Sequence, residues 1–323
     1  MNIERYAIPG RTIGEVILRG CANMIELYGV QKRFGTQTVL RDMTFQVKQG
    51  DIVGLLGPNG AGKTTIIRMI NGLLAADAGT ITVDGLDPIS SGDTIRARSG
   101  TMTEEAGLYE NLSGRENLLF FAELYNVNDR NRVDTLLDQF GLTEHQQKKV
   151  STYSTGMKKR LALAKVLLHK PDILFLDEPT NGLDPDGIRT VLHHIHALNQ
   201  KEHTTIIICS HILYQLESIC DRYVLIDRGT VIEQGTLKQM EERYLHNIQL
   251  KVETTLRSTN PVFAGYPYER LSNAEVLFTL PDKNVIPAFL NQLAAQTDIY
   301  SAEIVNRDLE TLYFNIRRKV REP

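Results

Sequence analysis

Short apolar runs, separated by glycine, aspartate and asparagine, set the pattern of the chain. Residues 24 to 56 read as strands, opened by Met24-Ile25-Glu26-Leu27 and turned at Phe34-Gly35 and Gln49-Gly50. A helix follows at about 63 to 71, and Gly72 suits its end because glycine takes a left-handed cap without a Cβ clash. Residues 80 to 84 form the next strand candidate, closed by Asp84-Gly85. From Gly114 to Lys170 the period changes. Leu118, Leu119, Phe121, Ala122 and Tyr125 recur at helical spacing, and Val133, Leu136, Leu137 and Phe140 resume it after a polar break. This stretch reads as a mostly helical insertion, the subdomain of about residues 105 to 170.

Alternation returns after Pro171. A strand at 173–177, a helix from about 185, a strand at 205–209, a helix at 212–219 and a strand at 223–227 follow in order. That order predicts a mainly parallel sheet with crossover helices. Beyond about residue 240 the style shifts again. Ile248 to Glu253, Glu275 to Leu280 and Leu312 to Ile316 read as strands, with a helix near 285–296. The fold class expected is α/β for residues 24–240, with a small accessory α+β domain at 241–323.

Candidate chemistry sits where strands end. Gly57-Pro58-Asn59-Gly60-Ala61-Gly62-Lys63-Thr64-Thr65 follows a buried-type strand and opens a helix. The spacing G-x-x-x-x-G-K-[ST] is that of a phosphate-binding P-loop. Its glycines let backbone N–H groups curl around phosphates, and the helix N-terminus adds partial positive charge. Lys63 brings a full charge, and the Thr64 hydroxyl can ligate Mg²⁺. Ile173-Leu174-Phe175-Leu176-Asp177-Glu178 is an apolar strand ending in two acids. Alone, such acids are an ordinary solvated turn. Beside a phosphate cradle, Asp177 can hold Mg²⁺ through water and Glu178 can polarise an attacking water.

Composition narrows the partners. A net charge of -3 gives no basic field for nucleic acid. The apolar runs at 52–56, 173–176 and 206–209 are strand-sized, well short of the ~20 residues a membrane-spanning helix needs. Cys21, Cys209 and Cys220 lack metal-ligand spacing and fit a reducing compartment. Residues 1–23 carry three arginines and no continuous apolar stretch, so they read as an extension, either a tail or the product of an upstream start.

Tyr153-Ser154-Thr155-Gly156-Met157 lies ahead of Lys158-Lys159-Arg160 and upstream of the acidic strand. It resembles the signature motif of ABC ATPases, Leu-Ser-Gly-Gly-Gln, with tyrosine, threonine and methionine replacing the leucine, first glycine and glutamine. Asn181-Gly182-Leu183-Asp184-Pro185 resembles the family's D-loop, and Ser210-His211 its switch histidine. Phe34 resembles the aromatic residue that stacks on adenine. Glu104 aligns with the family's Q-loop glutamine, where its carboxylate can ligand Mg²⁺ or order water. The resemblance covers about residues 24 to 240. It implies a P-loop core with an antiparallel β subdomain and a helical subdomain, using ATP and Mg²⁺. It assigns Glu178 as the base and His211 as the phosphate sensor. Ser154 and Gly156 would contact the γ-phosphate of ATP held by a second subunit.

The resemblance also implies an assembly: two copies with two permease chains, or with one permease of double length, on the cytoplasmic face of the membrane. Leu108, Tyr109, Leu112 and Phe120 are the candidates to line the docking groove. The run from Gly107 to Leu118, like Leu183 to Ile188, is similar to bacterial export ATPases for antibiotic peptides such as bacitracin, for drugs and for sodium. The competing reading is a soluble ABC-type ATPase that remodels ribosomes or DNA. A single ATPase core and the lack of sustained heptads weigh against it.

Overall fold

The computed structural model describes residues 23–103, 106–129, 131–245, 247–257 and 260–321. Residues 1–22 of the extension expected at 1–23, and Glu104, lie outside the described residues. Contacts divide the chain into two compact units. The first runs to His211 and resumes for Ile219–Val231; the second takes in Ile212–Ser218 and the chain from Ile232 onward. The passage between them at Val231 comes ahead of the change in patterning at 240.

The first unit opens with β1 (Asn23–Phe34) and β2 (Gln37–Lys48), joined by a tight turn in which Phe34 pairs with Gln37. β4 (Ala78–Val83) pairs with the other side of β1, giving an antiparallel sheet in the order β2-β1-β4. Leu27, Val30, Met43, Phe45 and Val47 are buried in the core shared with the main sheet.

The main sheet has the order β5-β6-β7-β3-β8-β9. Its strands are β3 (Ile52–Leu56), β5 (Ser99–Met102), β6 (Ile173–Asp177), β7 (Thr205–Ser210), β8 (Arg222–Asp227) and β9 (Thr230–Gly235). The pairs β5–β6, β6–β7, β3–β7 and β3–β8 are all parallel. Every residue of β3, β6 and β7 is buried, as expected for strands covered on both faces. The order places the C-terminal ends of β3, β6 and β7 side by side, where such sheets bind ligands. β5 and β9 are edge strands too short or too mixed in polarity to read from pattern.

Helix α1 (Lys63–Ile70) follows β3, and α2 (Gly92–Ala97) precedes β5. The helical insertion contains α3 (Gly114–Leu124), α4 (Arg132–Gln139) and α5 (Thr155–Val166). Ser113 starts α3 through a reciprocal capping box with Glu116. Helix α6 (Pro185–Glu202) is capped by Asp184 and carries Pro185 in its first turn. The helix expected at 212–219 is only the short α7 (Leu213–Leu216).

The second unit contains α8 (Leu237–Tyr244) and an antiparallel sheet in the order β11-β12-β13-β10-β14. Its strands are β10 (Ile248–Thr254), β11 (Val262–Phe263), β12 (Tyr266–Arg270), β13 (Glu275–Leu280) and β14 (Ile299–Ile304). Helix α9 (Ile286–Ala294) buries Phe289 and Leu293 in the core of that sheet. One expectation is corrected here. Residues 312–316 are not a strand but lie in helix α10 (Leu309–Arg321). The buried positions Leu309, Leu312, Tyr313 and Ile316 have the i, i+3, i+4, i+7 spacing of a helix face, which a five-residue window could not separate from a strand. No helix among the described residues is long and apolar enough to cross a membrane.

Candidate functional site

Residues 57 to 62 link β3 to α1 in a loop that only glycine allows at its critical points. Gly60 and Gly62 have φ of 79° and 103°, in the left-handed region that other residues rarely enter. A Cβ at Gly62 would meet Leu40 Cδ2 at 2.4 Å, and one at Gly57 would meet the Ile226 carbonyl oxygen at 2.3 Å. At these two positions the loop is pressed against β8 and β2 with no room for a side chain. Asn59, Gly60, Ala61, Gly62, Lys63, Thr64, Thr65, Asp177 and Glu178 line one cavity of about 390 Å³, together with Gln37 and Val39.

Lys63 is buried, and its Nζ donates to the carbonyls of Gly57 at 2.7 Å and Pro58 at 3.3 Å. The ammonium is thus held over its own loop, 4.0 Å from Glu178 Oε1. Thr64 Oγ1 donates to Asp177 Oδ2 at 2.8 Å across the gap between α1 and β6. These two hard oxygens, beside a phosphate cradle, fit Mg²⁺, which takes one or two protein ligands and completes its shell with phosphate and water.

Glu178 has the most constrained position in the cavity. Its φ is 50°, left-handed for a residue with a side chain, a state that costs on the order of 1–3 kcal/mol and persists only where the surroundings enforce it. Its N–H donates to the Cys209 carbonyl at 3.0 Å, and its own carbonyl accepts from Asn181 N at 3.2 Å. Oε1 accepts from His211 Nδ1 at 2.9 Å. Oε2 is buried with no hydrogen-bond partner among the described residues. A buried carboxylate oxygen without a partner is costly and points to a ligand or water as its counterpart. Cys209, opposite Asp177 in the ladder, is no candidate nucleophile. Burial, then the nearby Asp177 charge, raises its thiol well above the ordinary value.

Ser154 and Gly156 are not in this cavity. They line a second one of about 510 Å³ with Thr155, Gly182, Leu183, Asp184 and Gly187. Ser154 caps α5, its Oγ accepting from Met157 N at 3.2 Å. Tyr153 has turned inward instead, and its hydroxyl donates to the His145 carbonyl at 2.8 Å. Room for the ring comes from Gly114, where a Cβ would fall 2.2 Å from the tyrosine oxygen. The tyrosine of this motif and the glycine that opens α3 form a pair that spacing alone did not reveal.

Phe34 is half exposed at the end of β1, with Lys32 Nζ 5.6 Å from its ring centre. It is absent from the cavity lining, although Gln37 and Val39 of the same hairpin belong to it. The basic run 158–160 is not a solvated face. Lys158 pairs with Glu110, Arg160 Nη1 donates to the Phe140 carbonyl at 2.9 Å, and Lys159 is buried. Lys159 shares the stripe of Ala162, Leu163 and Val166 on α5, an i, i+3, i+4, i+7 pattern that could have marked it as inward-facing.

Residues 40–181 match the family described as ABC transporter. The bacitracin transport ATP-binding protein BcrA of Bacillus licheniformis is 40% identical over 227 residues, 69% of this chain and 74% of the relative. The linearmycin resistance ATP-binding protein LnrL of Bacillus subtilis (strain 168) is 33% identical over 307 residues, 91% of this chain and 98% of the relative. A solved structure of an ATP binding subunit of an ABC transporter superposes with a TM-score of 0.62 at 31% identity, covering 68% of this chain and 93% of that one.

Proposed function

The chain belongs to the ABC transporter family as an ATP-binding subunit with ATPase activity, and from that premise we propose that it powers export of drugs, antibiotic peptides or similar cargo. Such subunits work with a transmembrane permease. Likeness to the bacitracin and linearmycin proteins supports the export direction.

In this reading the loop 57–65 cradles the ATP phosphates, Lys63 neutralises their charge, and Phe34 stacks on the adenine. Thr64 and Asp177 hold Mg²⁺, which supplies further charge neutralisation when bound. Glu104 is a third metal candidate by sequence position. Glu178 takes a proton from the attacking water, and His211 holds its carboxylate in place. The observation that carries a two-copy assembly is the separation of Ser154 from Lys63 into different cavities. Residues that meet at one γ-phosphate in this reading line separate cavities of a single chain, so a second copy would complete each site.

Docking on the permease at the cytoplasmic face of the membrane is supported by an exposed aromatic patch. Tyr109 and Phe120 are half exposed with ring centres 5.0 Å apart, and Phe121 lies against both. Leu108 and Leu112 flank them on the same segment. An apolar patch of this kind on a surface marks an interaction site. The test is fractionation with and without a co-expressed permease, followed by an export assay. The chain should enter the membrane fraction only with the permease, and a charge at Tyr109 should uncouple export from hydrolysis. Sedimentation with ribosomes in place of membranes would refute the transport reading.

A further inference from the structure

Lys159 has a partner that its place in the sequence does not suggest. It lies on α5 beyond Ser154 and is 6% exposed. A lysine ammonium is seldom taken this far from water unless fixed acceptors receive it. Its Nζ donates to the backbone carbonyl of Glu178 at 3.2 Å. The same carbonyl accepts from Asn181 N, and the Glu178 N–H is held by the Cys209 carbonyl. The glutamate peptide is thus gripped on both sides while it sits at a φ of 50°. The direction of that peptide sets where the side chain leaves the backbone, and so where Oε2 points.

We propose that Lys159 is a positioning residue for hydrolysis. Through the Glu178 carbonyl it holds the left-handed peptide that aims the carboxylate at the attacking water. This deepens the reading of Glu178 as the base and rests on it. The contact has a further consequence. The first turn of α5 carries Ser154 and Gly156, so the helix that faces the second copy also grips the base of its own chain. Displacement of α5 then acts directly on the chain's own catalytic glutamate.

The experiment compares full-length Lys159→Met, Lys159→Gln, Glu178→Gln and the Lys159→Met/Glu178→Gln double variant by steady-state phosphate release and ATP calorimetry. Methionine keeps the buried stem and removes the donor; glutamine keeps a donor. Misplacing a catalytic group by about 1 Å can cost 10²-fold, so Lys159→Met should lower kcat about 10- to 100-fold. KM and the ATP dissociation constant should stay within about twofold, and Lys159→Gln should recover part of the loss. In the Glu178→Gln background the methionine should cause no further loss, since it acts through a base already removed. A kcat near wild type in Lys159→Met, equal losses in kcat and ATP affinity, or additive losses in the double variant would overturn the proposal. Should the methionine variant not fold, the glutamine variant carries the same cycle against Glu178→Gln. The two readings fail separately. Normal turnover in Glu178→Gln rejects the base itself, whereas loss in Glu178→Gln with none in Lys159→Met rejects only the role of Lys159.

Discussion

His211 Nδ1 sits 2.9 Å from Glu178 Oε1, bridging the ends of two adjacent parallel strands. The other carboxylate oxygen is buried with no hydrogen-bond partner among the described residues, on a side chain that lines the cavity with Lys63 and Asp177. A glutamate held at one oxygen and unpartnered among the described residues at the other keeps one acceptor free for a water proton, as the reading of Glu178 as the base requires.

Loss of that hold should therefore reduce chemistry more than binding. His211→Ala is expected to lower kcat at least ~10-fold, in the range typical of a disturbed general base, with ATP affinity nearly unchanged. Phosphate release and calorimetry on the same preparation check this. A variant that loses ATP affinity while keeping kcat would make His211 a nucleotide-binding residue instead.

The pair Tyr153 and Gly114 gives a test of packing around the signature segment. Gly114→Ala places a Cβ 2.2 Å from the tyrosine hydroxyl and should destabilise the protein by about 1–3 kcal/mol, the usual cost of overpacking. Adding Tyr153→Leu removes the ring and should recover part of that loss. Urea unfolding of the single and double variants measures the coupling, and strictly additive effects would mean that the two positions do not compete for space.

Much of this was legible from the sequence because the motifs combine rare spacing with a strand or helix context. The P-loop between β3 and α1 and the acids ending β6 were placed by pattern alone. What pattern missed has physical causes. Helix α10 was read as a strand because five residues around Leu312 carry too little period to decide. The burial of Lys159 is not signalled by its residue type, because lysine is usually exposed and the carbonyl that accepts from it belongs to a residue 19 positions away. The left-handed backbone of Glu178 leaves no trace in residue type.

Acidification should weaken the first unit at His169. Its Nε2–H donates to the Ser99 carbonyl at 3.0 Å, which leaves Nδ1 buried without a partner among the described residues. Burial, with a smaller push from Arg132, lowers its pKa below the ordinary 6.5, although the Ser99 bond opposes this. The unfolded chain then binds the proton more readily than the folded one. Stability from this group is complete above the unfolded pKa and is lost as pH falls through about 6.5 toward the lowered folded value. His169→Gln keeps a donor to Ser99 and cannot charge, so its melting temperature should fall less than that of wild type between pH 7.5 and 5.5, a window of about one unit on either side of the ordinary pKa. An unchanged slope would remove His169 from the acid response.

On the proposed reading the 57–65 loop and Glu178 form one hydrolytic site, with separate tasks of holding ATP and activating water. The most direct measurement is ATP turnover and ATP-dependent dimerisation of Glu178→Gln beside wild type and Lys63→Ala. Glu178→Gln should turn over at least ~10²-fold more slowly, as loss of a general base implies, yet bind ATP and accumulate as an ATP-held dimer on size exclusion. Lys63→Ala should bind ATP at least ~10-fold more weakly, having lost a charge-assisted contact of about 1.5–3 kcal/mol, and should form no such dimer. Wild-type turnover in Glu178→Gln, or undiminished ATP affinity in Lys63→Ala, would contradict the account.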